Sequence, residues 1–227
     1  MAGRIEDYAL VGDLETAALI GTDGSVDWWC APRFDSPACL AALLGDAGHG
    51  RWLLAPVGKG RCTRRSYRGD SLVLDTVWES LGGTVRITDF MPPRSPREDA
   101  PRIVRVVEGI AGRVAVRGEL SVRFHHGSIV PWTRTLDRRT VASVAGPDAA
   151  YLSCGPGVEP VVEPDRTTFE FTVTAGRRIA FVLGWRPSHA PPPPAAPPAG
   201  IDAGPAGEVG GGGSGHGGDG AAGERAG

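Results

Sequence analysis

Alternation decides what this chain can fold into. Val114, Val116, Leu120, Val122 and Phe124 share one parity, broken only by Gly118. Phe169, Phe171 and Val173 repeat the pattern, with Thr168, Glu170, Thr172 and Thr174 on the opposite parity. Successive side chains of a strand point to opposite faces, so this spacing predicts strands with one buried face. Similar signals occur around 51–55, 71–79, 83–90, 102–110, 140–146 and 178–185. Gly82-Gly83, Gly109 to Gly112, Gly146-Pro147 and Gly155-Pro156-Gly157 supply turn chemistry between them. Many short strands at close spacing predict a mainly β protein, an antiparallel β-sandwich. One short helix is predicted near 36–44. Ser36 can cap it, Pro37 suits its first position, the stretch from Ala38 to Leu44 favours helix, and Gly45 stops it.

The apolar periodicity ends near residue 187. Pro191 to Pro194, Pro197-Pro198 and the run Gly210 to Gly213 follow, with almost no bulky apolar side chains. Such a segment buries too little surface to offset the entropy of ordering. The chain therefore divides into a sandwich domain over 1–189 and a disordered Pro/Gly/Ala-rich tail over 190–227.

Charge and motifs exclude several functions. The formal net charge is −2, without the basic excess of a nucleic-acid-binding surface. The pairs Arg64-Arg65 and Arg138-Arg139 read as solvated turn residues. No run of about 18 apolar residues predicts a membrane span, and no basic-then-apolar leader opens the chain. A cytoplasmic location with free thiols is the expectation for Cys30, Cys39, Cys62 and Cys154, which form no CxxC pair. His125-His126 has no third ligand nearby, and adjacent strand residues face opposite ways, so no metal site and no cofactor is predicted. GxSxG and GxxxxGK[ST] are both absent.

The segment Asp23-Gly24-Ser25-Val26-Asp27-Trp28-Trp29-Cys30-Ala31-Pro32-Arg33-Phe34-Asp35-Ser36-Pro37, preceded by Ile5 to Ile20, resembles the N-terminal stretch of bacterial glycoside hydrolase family 15, the glucoamylase- and trehalase-like proteins. Four further matches follow in order: Val85 to Pro92 with its "DFMP" ending, Arg102 to Gly109, the "RF…PW" turn from Arg123-Phe124 to Pro131-Trp132, and Gly184 to Ser188. The resemblance covers roughly residues 4–189. It implies a trehalase-like N-terminal β-sandwich domain, which in that family adjoins an α/α barrel carrying two catalytic glutamates. The reaction implied is inverting hydrolysis of an α-glucosidic bond, which needs its two carboxyls about 6.5–9.5 Å apart. No residue after 189 resembles that barrel. Two origins for the tail stay open: a G+C-rich frame read out of phase, or a genuine disordered segment.

Trp28, Trp29, Arg33, Phe34 and Asp35 are the candidate site residues. Flat apolar faces suit sugar rings, and Arg and Asp make directed, charge-assisted hydrogen bonds to hydroxyls. The competing reading places the tryptophans in the core and pairs Arg33 with Asp35 as a loop clamp. In either case the segment is expected to lie at the substrate entrance or at the contact with the barrel. No catalytic residue is assigned. The acidic pairs Asp13/Glu15 and Asp23/Asp27 show no sign of the burial a general acid needs, and Asp23-Gly24 reads as a hairpin turn. The sequence thus points to an accessory domain of an α-glucoside hydrolase, inactive alone, with an exposed apolar surface where a barrel docks. The alternatives are a free-standing carbohydrate-binding or protein-interaction sandwich and a broken gene product.

Overall fold

The computed structural model describes residues 3–58, 60–94 and 100–193. Its strands are β1 (Ala9–Gly12), β2 (Ala17–Ile20), β3 (Ser25–Cys30), β4 (Ala38–Leu40) and β5 (Arg51–Pro56). Then come β6 (Arg61–Tyr67), β7 (Leu74–Ser80), β8 (Gly83–Phe90) and β9 (Arg102–Ser121). The last six are β10 (Trp132–Thr135), β11 (Thr140–Ala145), β12 (Asp148–Cys154), β13 (Val161–Val162), β14 (Thr167–Thr174) and β15 (Arg178–Pro187).

Two antiparallel layers share one strand. The first runs β1-β2-β3-β5-β9-β14-β13, with β4 added on β3. The second runs β6-β7-β8-β9-β15-β12-β11-β10. The glycines from Gly109 to Gly112, predicted as a turn between two strands, instead lie inside β9 where it passes from one layer to the other. As far as Gly112 β9 pairs with β8, and from Arg113 it pairs with β14. Gly112 has φ +69°, and a Cβ there would meet the Gly82 carbonyl at 2.2 Å. The backbones cross too closely there for any other residue.

The core lies between the layers. Phe169 and Phe171 of the first layer meet Phe181 of the second, with ring centroids 5.0 and 5.1 Å apart. Gly118, the break in the alternation, pairs with Phe169, whose ring occupies the space a side chain at 118 would need. Arg105 also points inward, 0% exposed. Its Nε donates to Asp89 Oδ1 at 2.8 Å, and its two Nη groups donate to the carbonyls of Trp52 and Gly24 at 2.9 and 2.8 Å. It also stacks on the Trp52 ring. Gly24, at φ +84°, belongs to the predicted Asp23-Gly24 hairpin turn between β2 and β3.

The helix predicted near 36–44 is a correction. Ala38–Leu40 forms β4 instead, and only Ala42–Leu44 makes a single 3₁₀ turn. The backbone of 38–40 is claimed by partners distant in sequence: β3, the Arg123 N–H on the Cys39 carbonyl, and the His126 N–H on the Ala38 carbonyl. Helix propensity is weak against such tertiary pairing. From residue 194 on, the predicted disordered tail lies outside the described residues. No helix among the described residues is long and apolar enough to cross a membrane.

Candidate functional site

The residues from Ala31 to Pro37 connect β3 to β4, and both strands are rooted in the buried layer. The Thr16 hydroxyl donates to the Cys30 carbonyl as the chain leaves β3. At the tip, the Phe34 N–H donates to the Glu15 carbonyl at 3.0 Å and the Ser36 N–H to the Arg33 carbonyl at 3.1 Å. The Arg33 N–H donates back to Ser36 Oγ at 3.1 Å. The loop is therefore closed on itself and tied to the β1–β2 turn.

Arg94 completes the anchor. Its Nε donates to Asp13 Oδ2 at 2.8 Å, its Nη1 to Glu15 Oε2 at 3.1 Å, and its Nη2 to the Pro32 carbonyl. Asp13 spends its other oxygen on the Glu15 and Thr16 N–H groups, at 3.0 and 2.8 Å. Arg94 is 6% exposed at its side chain and Asp13 is 0% exposed. No burial is expected for the pair Asp13/Glu15 from the sequence, but Asp13 is fully buried. The burial serves structure, because both carboxylates share one guanidinium. Arg94 lies 81 residues from Asp13, so no local signal announced it.

What the anchor presents is apolar and charged together. Phe34 is 60% exposed. Leu14, in the adjoining turn, is 85% exposed at φ +77°, a conformation that disfavours a leucine. Arg33 Nε meets Asp35 Oδ1 at 3.0 Å. That hydrogen bond pulls the Asp35 carboxyl below its usual range and pushes the Arg33 guanidinium up. Arg33, Phe34 and Asp35 thus share one loop tip. The two tryptophans do not join them. Trp29 is fully buried in the main core, and Trp28 packs on Cys30, Ala38 and Ala41 and stacks on His126 with centroids 6.0 Å apart.

Further features sit around this frame. Asp27, also expected to lack burial, is buried and accepts hydrogen bonds from Tyr8 Oη at 2.7 Å and from Ser25 Oγ. Burial first, then the bond to Asp27, pushes the Tyr8 hydroxyl up to about 12. Tyr8 and Asp27 line a cavity of about 240 Å³ with Asp7, Asp23, Asp46 and Arg51. His125 and His126 lie in a turn with φ of +52° and +58°, and not on the strand expected for them. All four cysteines are free. Burial pushes the Cys30, Cys39 and Cys154 thiols up.

Comparison with known proteins gives this arrangement its context. Residues 1–183 match the family described as trehalase-like, N-terminal. A trehalase of Mycolicibacterium smegmatis is 41% identical over 87 residues, covering 38% of this chain and 13% of that protein. A trehalase of Mycobacterium tuberculosis is 40% identical over 87 residues, with the same coverage. Trehalase 2 of Sulfolobus acidocaldarius is 26% identical over 180 residues, covering 78% of this chain and 28% of that protein. The matched stretches therefore amount to between about an eighth and just over a quarter of these relatives' lengths.

Proposed function

The chain belongs to the trehalase-like N-terminal domain family, and from that premise we propose that it is the accessory domain of an α-glucoside hydrolase of glycoside hydrolase family 15. Its role is to seat the 31–37 loop against a catalytic α/α barrel, with Phe34 entering the contact and Arg33 and Asp35 at its rim near the substrate entrance. The observation that carries this reading is the pairing of opposites at the loop. Its base is fixed by the buried Arg94–Asp13 pair, while its tip holds Phe34 in water. A rigid, exposed aromatic beside charged groups is the anatomy of an interface centre with a polar rim. Rigidity matters because an anchored loop loses little entropy on docking.

The chemistry follows from what the loop lacks as well as from what it shows. Acid–base cleavage needs two carboxyls facing across a bound sugar. Asp13 and Glu15 are both held by Arg94, and Asp35 is held by Arg33. The domain therefore shapes a site whose acid and base come from the barrel, and alone it hydrolyses none of these sugars. Incubating the purified chain with trehalose, maltose and maltooligosaccharides tests this. No glucose release is expected, and release that survives repeated purification overturns the reading.

A further inference from the structure

The outer face of the second layer carries a row that the loop's function does not use. Arg64 pairs with Val77, Val77 with Arg86, Arg86 with Glu108, and Glu108 with Arg178, across β6, β7, β8, β9 and β15. Neighbours in such a row stand about 4.8 Å apart. Arg64 and Arg86 therefore rise about 10 Å apart on either side of Val77, whose short side chain leaves a trough. Glu108 is buried and takes Arg178 at 2.7 Å on one oxygen and Arg86 at 3.2 Å on the other. Arg68 closes the next position, bonded twice to Asp75 at 2.7 and 2.8 Å. Arg64 has no hydrogen-bond or ion-pair partner for its guanidinium among the described residues.

These residues line one groove of about 680 Å³, together with Ser66 and Ile110. Its four arginines face two carboxylates, an excess of about two positive charges. Like charges across a sheet destabilise it unless something neutralises them. A groove of this size takes a small molecule rather than a bare ion. Guanidinium groups bind oxyanions by paired N–H donors. A phosphate monoester carries close to two negative charges at neutral pH, which equals the excess. The Ser66 hydroxyl adds a donor and acceptor for a hydroxylated body, and Val77 and Ile110 give it an aliphatic floor.

We propose that this groove binds the phosphate monoester of a small polyhydroxy compound, with Arg64 and Arg86 gripping the phosphate above Val77.

Isothermal titration calorimetry on the 227-residue chain, in a buffer free of phosphate and sulfate, tests it with glucose 6-phosphate, glucuronate, inorganic phosphate and glucose. Saturable binding of glucose 6-phosphate is expected, weaker for glucuronate and inorganic phosphate, with no heat from glucose. Arg64→Gln, which breaks no internal contact, is expected to weaken glucose 6-phosphate at least fivefold. Arg138→Gln, an exposed arginine outside the groove, serves as the control for general charge and is expected to change nothing. No saturable binding overturns the proposal. Inorganic phosphate or glucuronate binding as tightly as the ester, or equal loss in the two variants, overturns it too.

Discussion

Two arginine–aspartate pairs in this domain have the same chemistry and opposite surroundings. Arg105 and Asp89 meet at 2.8 Å with side chains 0% and 1% exposed. Arg33 and Asp35 meet at 3.0 Å with side chains 67% and 75% exposed. The first pair is out of water on all sides, and its spare donors are used on two carbonyls of the facing layer. Removing one partner would strand a buried charge. The second pair is hydrated, screened and free to exchange its partner for another. A contact distance therefore says little about what a pair is for, whereas burial separates a charge that holds the fold from one that stays hydrated at the surface. Arg94 stands between them, because it buries its charge in order to keep the exposed tip in place.

This contrast sets the order of expected effects. Arg105→Ala leaves Asp89 uncompensated and is expected to cost about 3–5 kcal/mol, read by urea denaturation. A loss under about 1 kcal/mol would end the claim that this pair locks the layers. Arg94→Ala should cost less, about 1.5–3 kcal/mol for lost bonds to charged groups, and should speed amide exchange at Phe34 and Ser36 before it does so in β9. Uniform acceleration over the whole domain would make Arg94 a general stabiliser and no loop anchor. Tyr8→Phe removes the hydrogen bond to the buried Asp27 at every pH, at a cost of about 1–3 kcal/mol, and changes the pH dependence of stability in alkali alone. Burial and the bond to Asp27 push the Tyr8 hydroxyl up from its ordinary 10.0 to about 12. Below pH 10 both states keep the proton. Between 10 and 12 the unfolded chain loses it first, so stability falls as pH rises. The variant should flatten that part of the fall, and an unchanged slope would remove Tyr8 from the account. Arg33→Ala and Asp35→Ala are expected to leave the melting temperature unchanged. The thiols form a parallel contrast. Cys62, partly exposed, should react with a thiol reagent in the native chain well before the three buried cysteines, and all four should react after denaturation.

The sequence disclosed the β class because alternation and turn residues act locally. The stretch from 114 to 121, the second half of β9, and that from 169 to 174 could be read directly, and even the gap at Gly118 has its reason in the Phe169 ring. The strand β12 was missed because its Ala149 to Cys154 stretch is buried on both faces and so shows no alternation. The helix near 36–44 failed because its backbone is claimed by β3 and by the turn after Phe124. At the candidate site, Arg33, Phe34 and Asp35 were legible as a local cluster. Arg94, Asp13 and Tyr8 were not, since their partners lie 19 to 81 residues away. The "DFMP" and "RIVRVVEG" stretches were recognisable as matches before their physical sense was visible, which is the Asp89–Arg105 pair inside the core.

The central claim is that the loop tip faces a partner and not the fold it grows from. Phe34→Ser separates these directly when made twice, in this chain and at the corresponding position of an intact homologous trehalase. The account predicts an unchanged melting temperature in the isolated chain and at least a tenfold loss of kcat/KM in the intact enzyme. A destabilised chain, or an intact enzyme with full activity at unchanged stability, would contradict it.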